Sequence, residues 1–406
     1  MSIKYQSVYR WISFLLLLHL LCLATFYLVI GIYVAGGRGH QAHLLDLSGR
    51  PVGSDFVTYW AASKVARTQG PAAVFSRERI YAAEREVIGT AIMPRIWNYP
   101  PTFLLMALPL AALPYLASLI CWLTVTGLGY LAVIRGIIPR GPIGWLFILF
   151  PGAVSNVLYG QNGFLSAAFL GGGLLFIDRY PFLGGGLLGL LSYKPQLAVL
   201  LPLALAAGKH WKALAGAVIS AGGLAVASLA VLGSGVWSEF FRNLPLATNL
   251  MTRDHLWEKM PTIFAAARLA GAGQEQAIAV QAVATLGAVF GVTWVWYRHL
   301  PLALRGSALA LGIILATPYA FAYDLTILAL PVAWLGAEAY GHGDLGEVAV
   351  WLLAWTLLAW AALKPPWVWQ GGLYALFSLT ALLVMTGLVV YRTAKFIPPR
   401  APASPG

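Results

Sequence analysis

Apolar runs separated by short polar breaks extend over almost the whole chain. They fall at 11–35, 101–113, 115–134, 143–158, 163–177, 182–207, 213–233, 277–297, 306–322, 324–340, 347–363 and 372–391. A helix needs about 20 apolar residues to cross the hydrocarbon core of a bilayer, and several of these runs are shorter. The pattern predicts an all-α polytopic membrane protein, a bundle of about twelve transmembrane helices.

Two of the apolar runs are broken internally. "YPPTFLLMALPLAALPY" is interrupted by Pro109 and Pro114, and "GLLSYKPQLAVLLP" is interrupted at Lys194 and Pro195. Broken helices at membrane depth are tolerated where their backbone lines a cavity or packs on protein. We therefore expect irregular backbone around a buried site.

Two long polar segments divide the pattern without making a second domain. Residues 36–99 form the predicted first outer loop, and residues 234–276 form the second. Residues 1–396 are expected to make one transmembrane domain. The Pro-rich end, 397–406, is expected to be disordered because it has few apolar residues to bury.

The composition supports a membrane protein. Of the 406 residues, 60% are hydrophobic and 10% are charged, and the mean hydropathy is +0.76. In a soluble protein the net charge of +12 would suggest nucleic acid as a partner. In a membrane protein, Lys and Arg collect in cytoplasmic loops and face anionic lipid, so no nucleic-acid partner is predicted.

The basic residues also predict the orientation. The short segments 208–212 and 297–305 and the C-terminal "YRTAKFIPPR" are basic and should be cytoplasmic, which places the loop 36–99 outside. Arg135 and Arg140 then fall on the outer side. If 101–134 is instead one bent span, they move inside, and Gly160–Asn162 and Lys194 move to the outer face. The sequence leaves both paths open.

Ionisable side chains within apolar runs are energetically costly and are candidates for function. His19, Lys194 and Asp324 are such residues. His19 suits a hydrogen-bonded packing role. Lys194 and Asp324 can form a structural ion pair, or Lys194 can stabilise negative charge on a phosphate.

The stretch "GSDFVTYWAASKVARTQG" begins at Gly53 and concentrates polar chemistry in the first outer loop. Ser54 or Asp55 suits the N-cap of a helix that begins near Phe56. Tyr59 follows Asp55 by four residues and shares its face of that helix. Asp55 is then either a helix cap or a carboxylate with a chemical role.

The rest of this stretch predicts an amphipathic helix that lies along the outer membrane interface. Trp60, Lys64 and Arg67 share a stripe next to the face that carries Asp55. The two cations are either solvated surface residues or partners for a phosphate.

A polar break in "VLYGQNGFLSAAFLGGG" places Gln161 and Asn162 between Gly160 and Gly163. This is either an ordinary turn between two spans or a pair of amides that bind sugar hydroxyls.

The order of these features resembles glycosyltransferase family 87, the polyprenol-phosphate-mannose-dependent α-mannosyltransferases and their bacterial relatives. The resemblance extends from about residue 50 to about 335 and is most specific in "SDFVTYWAASKVARTQGPAAVF" and "WNYPPTFLLMALPLAALPY". It also includes "YGQNGFLSAAFLGGGLL", "GLLSYKPQLAVLLP" and "ATPYAFAYDLTILALP".

The resemblance implies a GT-C-like bundle and an inverting hexosyltransferase in the bacterial inner membrane. Its site would face the periplasm or cell exterior, its donor would be a polyprenyl-phosphate sugar, with mannose expected, and its acceptor a hydroxyl of a glycolipid or glycan. By the resemblance, Asp55 is the catalytic base. No metal ion or other cofactor is indicated, because no DxD pair is present. The side chains expected to bind substrate are Tyr59, Trp60, Lys64, Tyr99, Gln161, Asn162, Lys194, Gln196, Tyr323 and Asp324.

Two other classes of function remain. Twelve spans and broken helices would also suit a lipid-linked-sugar flippase or transporter, although no two-half repeat is evident. A non-catalytic membrane scaffold is the third interpretation.

Overall fold

The structure is a computed structural model, and it describes residues 51–89, 95–139, 143–253, 256–342, 345–362 and 373–396. The predicted first span at 11–35, with His19, lies outside the described residues, as do residues 36–50 of the first outer loop and the tail 397–406.

The described residues form helices joined by short turns, and no strand occurs among them. The first half contains α1 (Phe56–Gln69), α2 (Arg77–Ile88), α3 (Pro101–Ala107), α4 (Tyr115–Ile137), α5 (Ile143–Leu146), α6 (Pro151–Tyr159), α7 (Gly163–Phe176), α8 (Pro181–Leu190), α9 (Pro195–Ala198) and α10 (Leu201–Ala207). The second half contains α11 (Trp211–Leu232), α12 (Ser234–Arg253), α13 (Ile263–Leu269), α14 (Gln274–Tyr297), α15 (Leu302–Ala316), α16 (Ala329–His342), α17 (Leu345–Ala362) and α18 (Leu373–Lys395). Single 3₁₀ turns occur at Pro71–Phe75, Leu110–Ala112, Phe147–Leu149, Leu191–Tyr193 and Leu256–Lys259, and a longer one at Ala322–Leu328.

Four described helices are long and apolar enough to cross a membrane: Tyr115–Ile137, Trp211–Leu232, Gln274–Tyr297 and Leu376–Lys395. Further apolar helices are shorter: Pro101–Ala112, Gly163–Phe176, Pro181–Tyr193, Pro195–Ala207, Leu302–Ala316 and Gly346–Leu358. The prediction of an all-helical membrane protein is confirmed in this coarse form. The number of about twelve spans stays a prediction.

The C-terminal part of the segment 101–112 packs beside α1. The Tyr115 hydroxyl donates to the carbonyl of Gly53 (3.1 Å), and the Trp60 indole N–H donates to the carbonyl of Leu113 (3.0 Å). Ser63 Oγ donates to the carbonyl of Leu108 and accepts the amide of Ala111. The breaks at its prolines let the segment pack beside α1, and this geometry favours the alternative path in which 101–134 is one bent span. The separate span at 101–113 stays a prediction.

The opposite end of the bundle is marked by an ion pair between segments that are distant in sequence. Arg305 Nη2 lies 2.8 Å from Asp178 Oδ2, and Arg305 Nη1 lies 2.7 Å from His210 Nε2. Asp178, which follows α7, and His210, which precedes α11, therefore lie at the same end. The chain between them must leave this end and return.

The predicted single span at 182–207 is consequently a helical hairpin that turns at Lys194–Pro195. α8 packs on the first half of α11 so closely that a Cβ on Gly185 would lie 1.8 Å from the carbonyl oxygen of Ala213, which only glycine allows. Each arm is short: the 10 residues of α8 span about 15 Å at 1.5 Å per residue. Hydropathy alone had merged the two arms into one run.

The predicted second outer loop, 234–276, is itself largely helical. It contains α12 and α13, and its residues Trp257, Met260, Phe264 and Ala265 form a small second core with Ala277 of α14. Tyr319 and Phe321 pack against this core. The loop therefore supports the segment that carries Asp324.

Candidate active site

Asp55 lies at the start of α1, at the end of the bundle that carries the polar breaks. Its amide donates to the carbonyl of Tyr159 (2.9 Å), and its Oδ2 accepts the Gln161 Nε2 amide (3.1 Å). Arg95 Nη1 lies 3.4 Å from Asp55 Oδ1, and the Asp55 side chain is 31% exposed. The Ser54 hydroxyl also lies 3.4 Å from Oδ1, so both carboxylate oxygens have polar neighbours while the side chain stays partly exposed.

A glycine allows this close approach between distant segments. Gly160 has a positive φ of +66°, and a Cβ there would lie 2.5 Å from Cβ of Phe56. Such backbone is easy only for glycine. The turn 159–162 can therefore lie directly against the start of α1.

The expected capping role of Asp55 is not observed. Asp55 occupies the N-cap position of α1, but its side chain makes no capping hydrogen bond, and its backbone lies in the right-handed helical region (φ −95°, ψ −22°). N-cap residues that cap with their side chain have β-region backbone. The carboxylate is instead turned towards Gln161 and Arg95.

The predicted polar stripe of α1 is observed, since Trp60, Lys64 and Arg67 are half-buried or exposed. Its predicted place on the membrane interface was wrong, because Phe56, Tyr59, Ala62 and Val65 of its apolar face are buried in the main core. The helix is covered by the rest of the first outer loop and by α3, which sequence periodicity could not show. The small alanines let these neighbours approach.

A continuous chain of hydrogen bonds leads inward from Asp55. Gln161 Oε1 accepts from the hydroxyls of Tyr59, in a very short contact, and of Tyr99 (3.2 Å). Asn162 Nδ2 donates to the Tyr59 hydroxyl (3.0 Å), and Lys194 Nζ donates to Asn162 Oδ1 (3.1 Å). Gln161 is 4% and Asn162 0% exposed.

The buried end of this chain is an ion pair. Lys194 Nζ pairs with Asp324 Oδ1, and the two side chains are 4% and 1% exposed. Asp324 Oδ2 accepts the amide of Phe321 (3.0 Å), and the ammonium lies 5.0 Å from the ring centroid of Tyr323. The predicted pairing of Lys194 with Asp324 is therefore observed.

Aromatic rings surround the middle of the chain and fix its geometry. The Tyr59 ring contacts Phe103, Tyr99, Trp122 and Trp97 at centroid distances of 4.9, 5.5, 6.1 and 6.2 Å, all near edge-to-face. Edge-to-face pairs of this kind are favourable packing contacts. The polar chain is thus enclosed in a stiff aromatic shell.

Three residues of the predicted site, Trp60, Lys64 and Gln196, take no part in this hydrogen-bond chain. Lys64 pairs with Glu86 and lies 5.4 Å from the Trp60 ring centroid. Together with Arg67 they line a separate open groove of about 400 Å³, whose other wall is Ala111–Pro114. Gln196 follows Pro195 and is half-buried. Among the described residues, no hydrogen bond joins Gln196 to the hydrogen-bond chain that begins at Asp55.

Two charged residues near Asp55 were not predicted to belong to the site. Arg95 contacts Asp55, and Glu84 is fully buried and accepts the Thr58 hydroxyl (2.7 Å). Burial raises the pKa of Glu84, and the Thr58 hydrogen bond and Arg95 oppose this. Both residues belong to the first outer loop, which contains many Arg and Glu residues that the sequence does not distinguish. Only the amphipathic pattern of α2 could have predicted that Glu84 is buried.

The described residues contain no group of three or more His, Cys, Asp or Glu placed to hold a metal ion. Metal independence stays a prediction, since the donor itself can contribute ligands.

The apolar helices and the buried polar chain at one end of the bundle define an integral membrane protein with an enclosed polar site. Residues 97–318 match the model of glycosyltransferase family 87, and this is more than half of the chain. The chain belongs to this family and is a glycosyltransferase, which sets aside the flippase and scaffold interpretations. No curated protein and no solved structure matches the chain.

The family match covers part of the site. Tyr99, Gln161, Asn162 and Lys194 lie within residues 97–318, whereas Asp55, Tyr59, Tyr323 and Asp324 lie outside. The hydrogen-bond chain connects both groups. The roles of the individual residues remain predictions.

Proposed function

We propose that this glycosyltransferase moves a hexose, with mannose preferred, from a polyprenyl-phosphate donor to a hydroxyl of a glycolipid or glycan acceptor. The reaction takes place at the end of the bundle that carries Asp55, which faces the periplasm or cell exterior. The observation that carries the proposal is the position of Asp55, a partly exposed carboxylate fixed by Gln161 and Arg95 at the mouth of a buried polar chain.

Asp55 acts as the general base. As the acceptor hydroxyl attacks the anomeric carbon, it must lose its proton, and a carboxylate within hydrogen-bond reach can take it. Gln161 donates to Oδ2, and Arg95 and the Ser54 hydroxyl lie 3.4 Å from Oδ1. The side chain remains 31% exposed, and the acceptor approaches the carboxylate from this exposed side. Attack on the face opposite the phosphate inverts the configuration at the anomeric carbon.

The leaving group is the polyprenyl phosphate, on whose oxygens negative charge develops. Fixed cations stabilise such charge. Arg95 is 31% exposed beside Asp55, so it can reach a phosphate at the mouth of the site. Lys194 is buried and neutralised by Asp324, so it contributes to the phosphate only if Asp324 releases it.

The decisive variant is Asp55→Asn. Asn keeps an oxygen for the Gln161 amide, and no capping bond is lost because Asp55 makes none. General bases contribute about 10²- to 10⁴-fold, so the transfer rate should fall by that order while donor binding persists. Transfer is measured in detergent with radiolabelled polyprenyl-phosphate mannose and a host membrane extract as acceptor.

The matched control is Glu86→Gln, an exposed carboxylate of the same loop that pairs with Lys64. It should retain the wild-type rate. If Asp55→Asn transfers mannose at a near-native rate, Asp55 is not the base. If the wild-type protein transfers glucose or galactose from the corresponding donors and not mannose, the proposed donor sugar is wrong.

A further inference from the structure

The buried chain between Lys194 and Asp55 has only one possible direction. A lysine ammonium carries donors and no acceptor. The atom of Asn162 that faces Lys194 at 3.1 Å must therefore be Oδ1. The amide group Nδ2 then points to the Tyr59 hydroxyl at 3.0 Å, and Tyr59 must accept it.

The same reasoning fixes Gln161. The Tyr59 oxygen accepts from Asn162, so its proton is donated either to Gln161 Oε1 or to the Tyr99 hydroxyl (2.8 Å). In the second case Tyr99 donates to Gln161 Oε1 (3.2 Å), so Gln161 Oε1 accepts by either route. The backbone amide of Asn162 also donates to Gln161 Oε1 (3.3 Å), and this bond independently excludes the flipped amide. Burial raises the pKa of the Tyr59 phenol well above its usual value, so Tyr59 keeps the proton that it donates.

We infer that Gln161 is a positioning residue for Asp55. The hydrogen bonds that run from Lys194 through Asn162 and Tyr59 to Gln161, called the relay below, fix the orientation of the Gln161 amide. Every hydrogen bond of the relay points from the ammonium towards the carboxylate. Its last bond, from Gln161 Nε2 to Asp55 Oδ2 (3.1 Å), donates to the carboxylate and holds it in one rotamer. The inference deepens the proposed function, because it assigns to these residues the preparation of the base.

The relay assigns the two amides a role besides the sugar binding expected for them. Both polar atoms of Gln161 and both of Asn162 have partners within the protein, and both side chains are buried. Each side-chain NH₂ group keeps a second N–H, but the burial of both side chains restricts the access of a sugar to it. In this inference the bonds that the amides make serve Asp55, and sugar binding by them stays a prediction.

Other groups also face Asp55, and the test must separate them from the relay. They are Arg95, Glu84, Tyr59, Tyr99, Tyr115 and Tyr323. Phenols and the guanidinium keep their protonation state on the acid side. Glu84 titrates there, so each measurement is repeated with Glu84→Gln, which keeps an oxygen for the Thr58 hydroxyl.

The experiment measures protonation of Asp55 directly, by its infrared carboxyl band in detergent. The difference between each protein and its Asp55→Asn counterpart isolates this band over a pH titration. Gln161→Met removes the donor while keeping the length of the side chain. It should move the half-protonation pH of Asp55 upward by about one unit, since a donor to the carboxylate favours the ionised form.

Tyr59→Phe removes one oxygen from the middle of the relay and should cause a smaller shift in the same direction. Its control is Tyr130→Phe, another buried tyrosine whose hydroxyl donates to a backbone carbonyl. The control for Gln161→Met is Gln281→Met, whose amide is also buried, accepts the Phe264 amide and donates to the Leu315 carbonyl. Neither control should move the Asp55 band.

An unchanged half-protonation pH in Gln161→Met would overturn the inference. A shift in Gln161→Met without one in Tyr59→Phe would overturn the part that extends to Lys194. Should Gln161→Met not fold, Tyr59→Phe alone decides, and an unchanged band in it rejects the relay. The measurement needs neither donor nor acceptor, so its outcome is independent of whether the proposed transfer reaction is correct.

Discussion

Replacing the buried ion pair tests how the polar chain is stabilised. Lys194→Met leaves Asp324 buried at 1% exposure with only the Phe321 amide as a described partner. Asp324→Asn keeps an oxygen for that amide but leaves the ammonium without its counter-charge. Removing one member of a buried pair destabilises a protein by about 3–5 kcal/mol, and we expect each single variant to lose this amount.

The double variant Lys194→Met with Asp324→Asn should be more stable than either single variant. It contains no lone buried charge, and its main remaining defect is Asn162 Oδ1, which loses the bond from Lys194. An unsatisfied buried acceptor costs about 1–3 kcal/mol, so the double variant should lose about that much. Unfolding is followed by tryptophan fluorescence during titration of detergent micelles with SDS.

The matched control is the pair of Lys64 and Glu86, whose side chains are 32% and 57% exposed. Exposed pairs contribute about 0–1 kcal/mol, so Lys64→Met, Glu86→Gln and their combination should all unfold close to wild type. If the Lys194 and Asp324 variants behave like this control, the pair does not stabilise the fold. A double variant as unstable as the sum of the single variants would refute the charge-balance argument.

Two further predictions concern the opposite end and the orientation. Burial, then the neighbouring Arg305, lowers the pKa of His210. As the pH falls below about 6.5, His210 is therefore protonated in the unfolded chain before it is protonated in the folded protein. Its contribution to stability is complete above that pH and is lost on acidification towards the lowered pKa. His210→Asn should reduce this acid-dependent loss, measured by SDS titration from pH 7.5 to about 5, and an unchanged pH dependence would contradict the assignment. For the orientation, single cysteines at Ser76 and Lys212 in a background without other cysteines should react with a membrane-impermeant maleimide from opposite sides, Ser76 from outside. Labelling of both from one side would reject the proposed orientation.

The sequence was informative where a polar residue interrupts an apolar run. Lys194 and Asp324 are 130 positions apart, and Asn162 lies in a different break, yet all three meet in the structure. The physical reason is general: a charge inside an apolar bundle must find a partner, and few partners are available. Contact between such residues is therefore predictable, although their chemical role is not.

The path of the chain was less predictable, because hydropathy measures composition and not direction. The run 182–207 has the hydropathy of one span. It is nevertheless a hairpin, because Arg305 contacts both Asp178 before it and His210 after it, and Arg305 and Asp178 are 127 positions apart in sequence. Likewise, nothing local distinguishes α1 from an interfacial helix. Its burial depends on α3 and on the outer-loop segments that cover it, which are tertiary contacts.

The position of the ion pair suggests why the site is built in two layers. At the outer layer, Asp55 and Arg95 are each about a third exposed, so acceptor and phosphate can reach them, but water screens their field. At the inner layer, Lys194 and Asp324 are almost fully buried and charge-balanced, so they need no ligand to be stable. A charge pair of this kind contributes little net attraction for a substrate. It can, however, set the direction of the uncharged groups between the layers. The buried ammonium permits only one orientation of Asn162, and the donors to Gln161 Oε1 permit only one of Gln161. In the proposed reaction, the inner layer would then position the outer carboxylate without itself contacting the substrate.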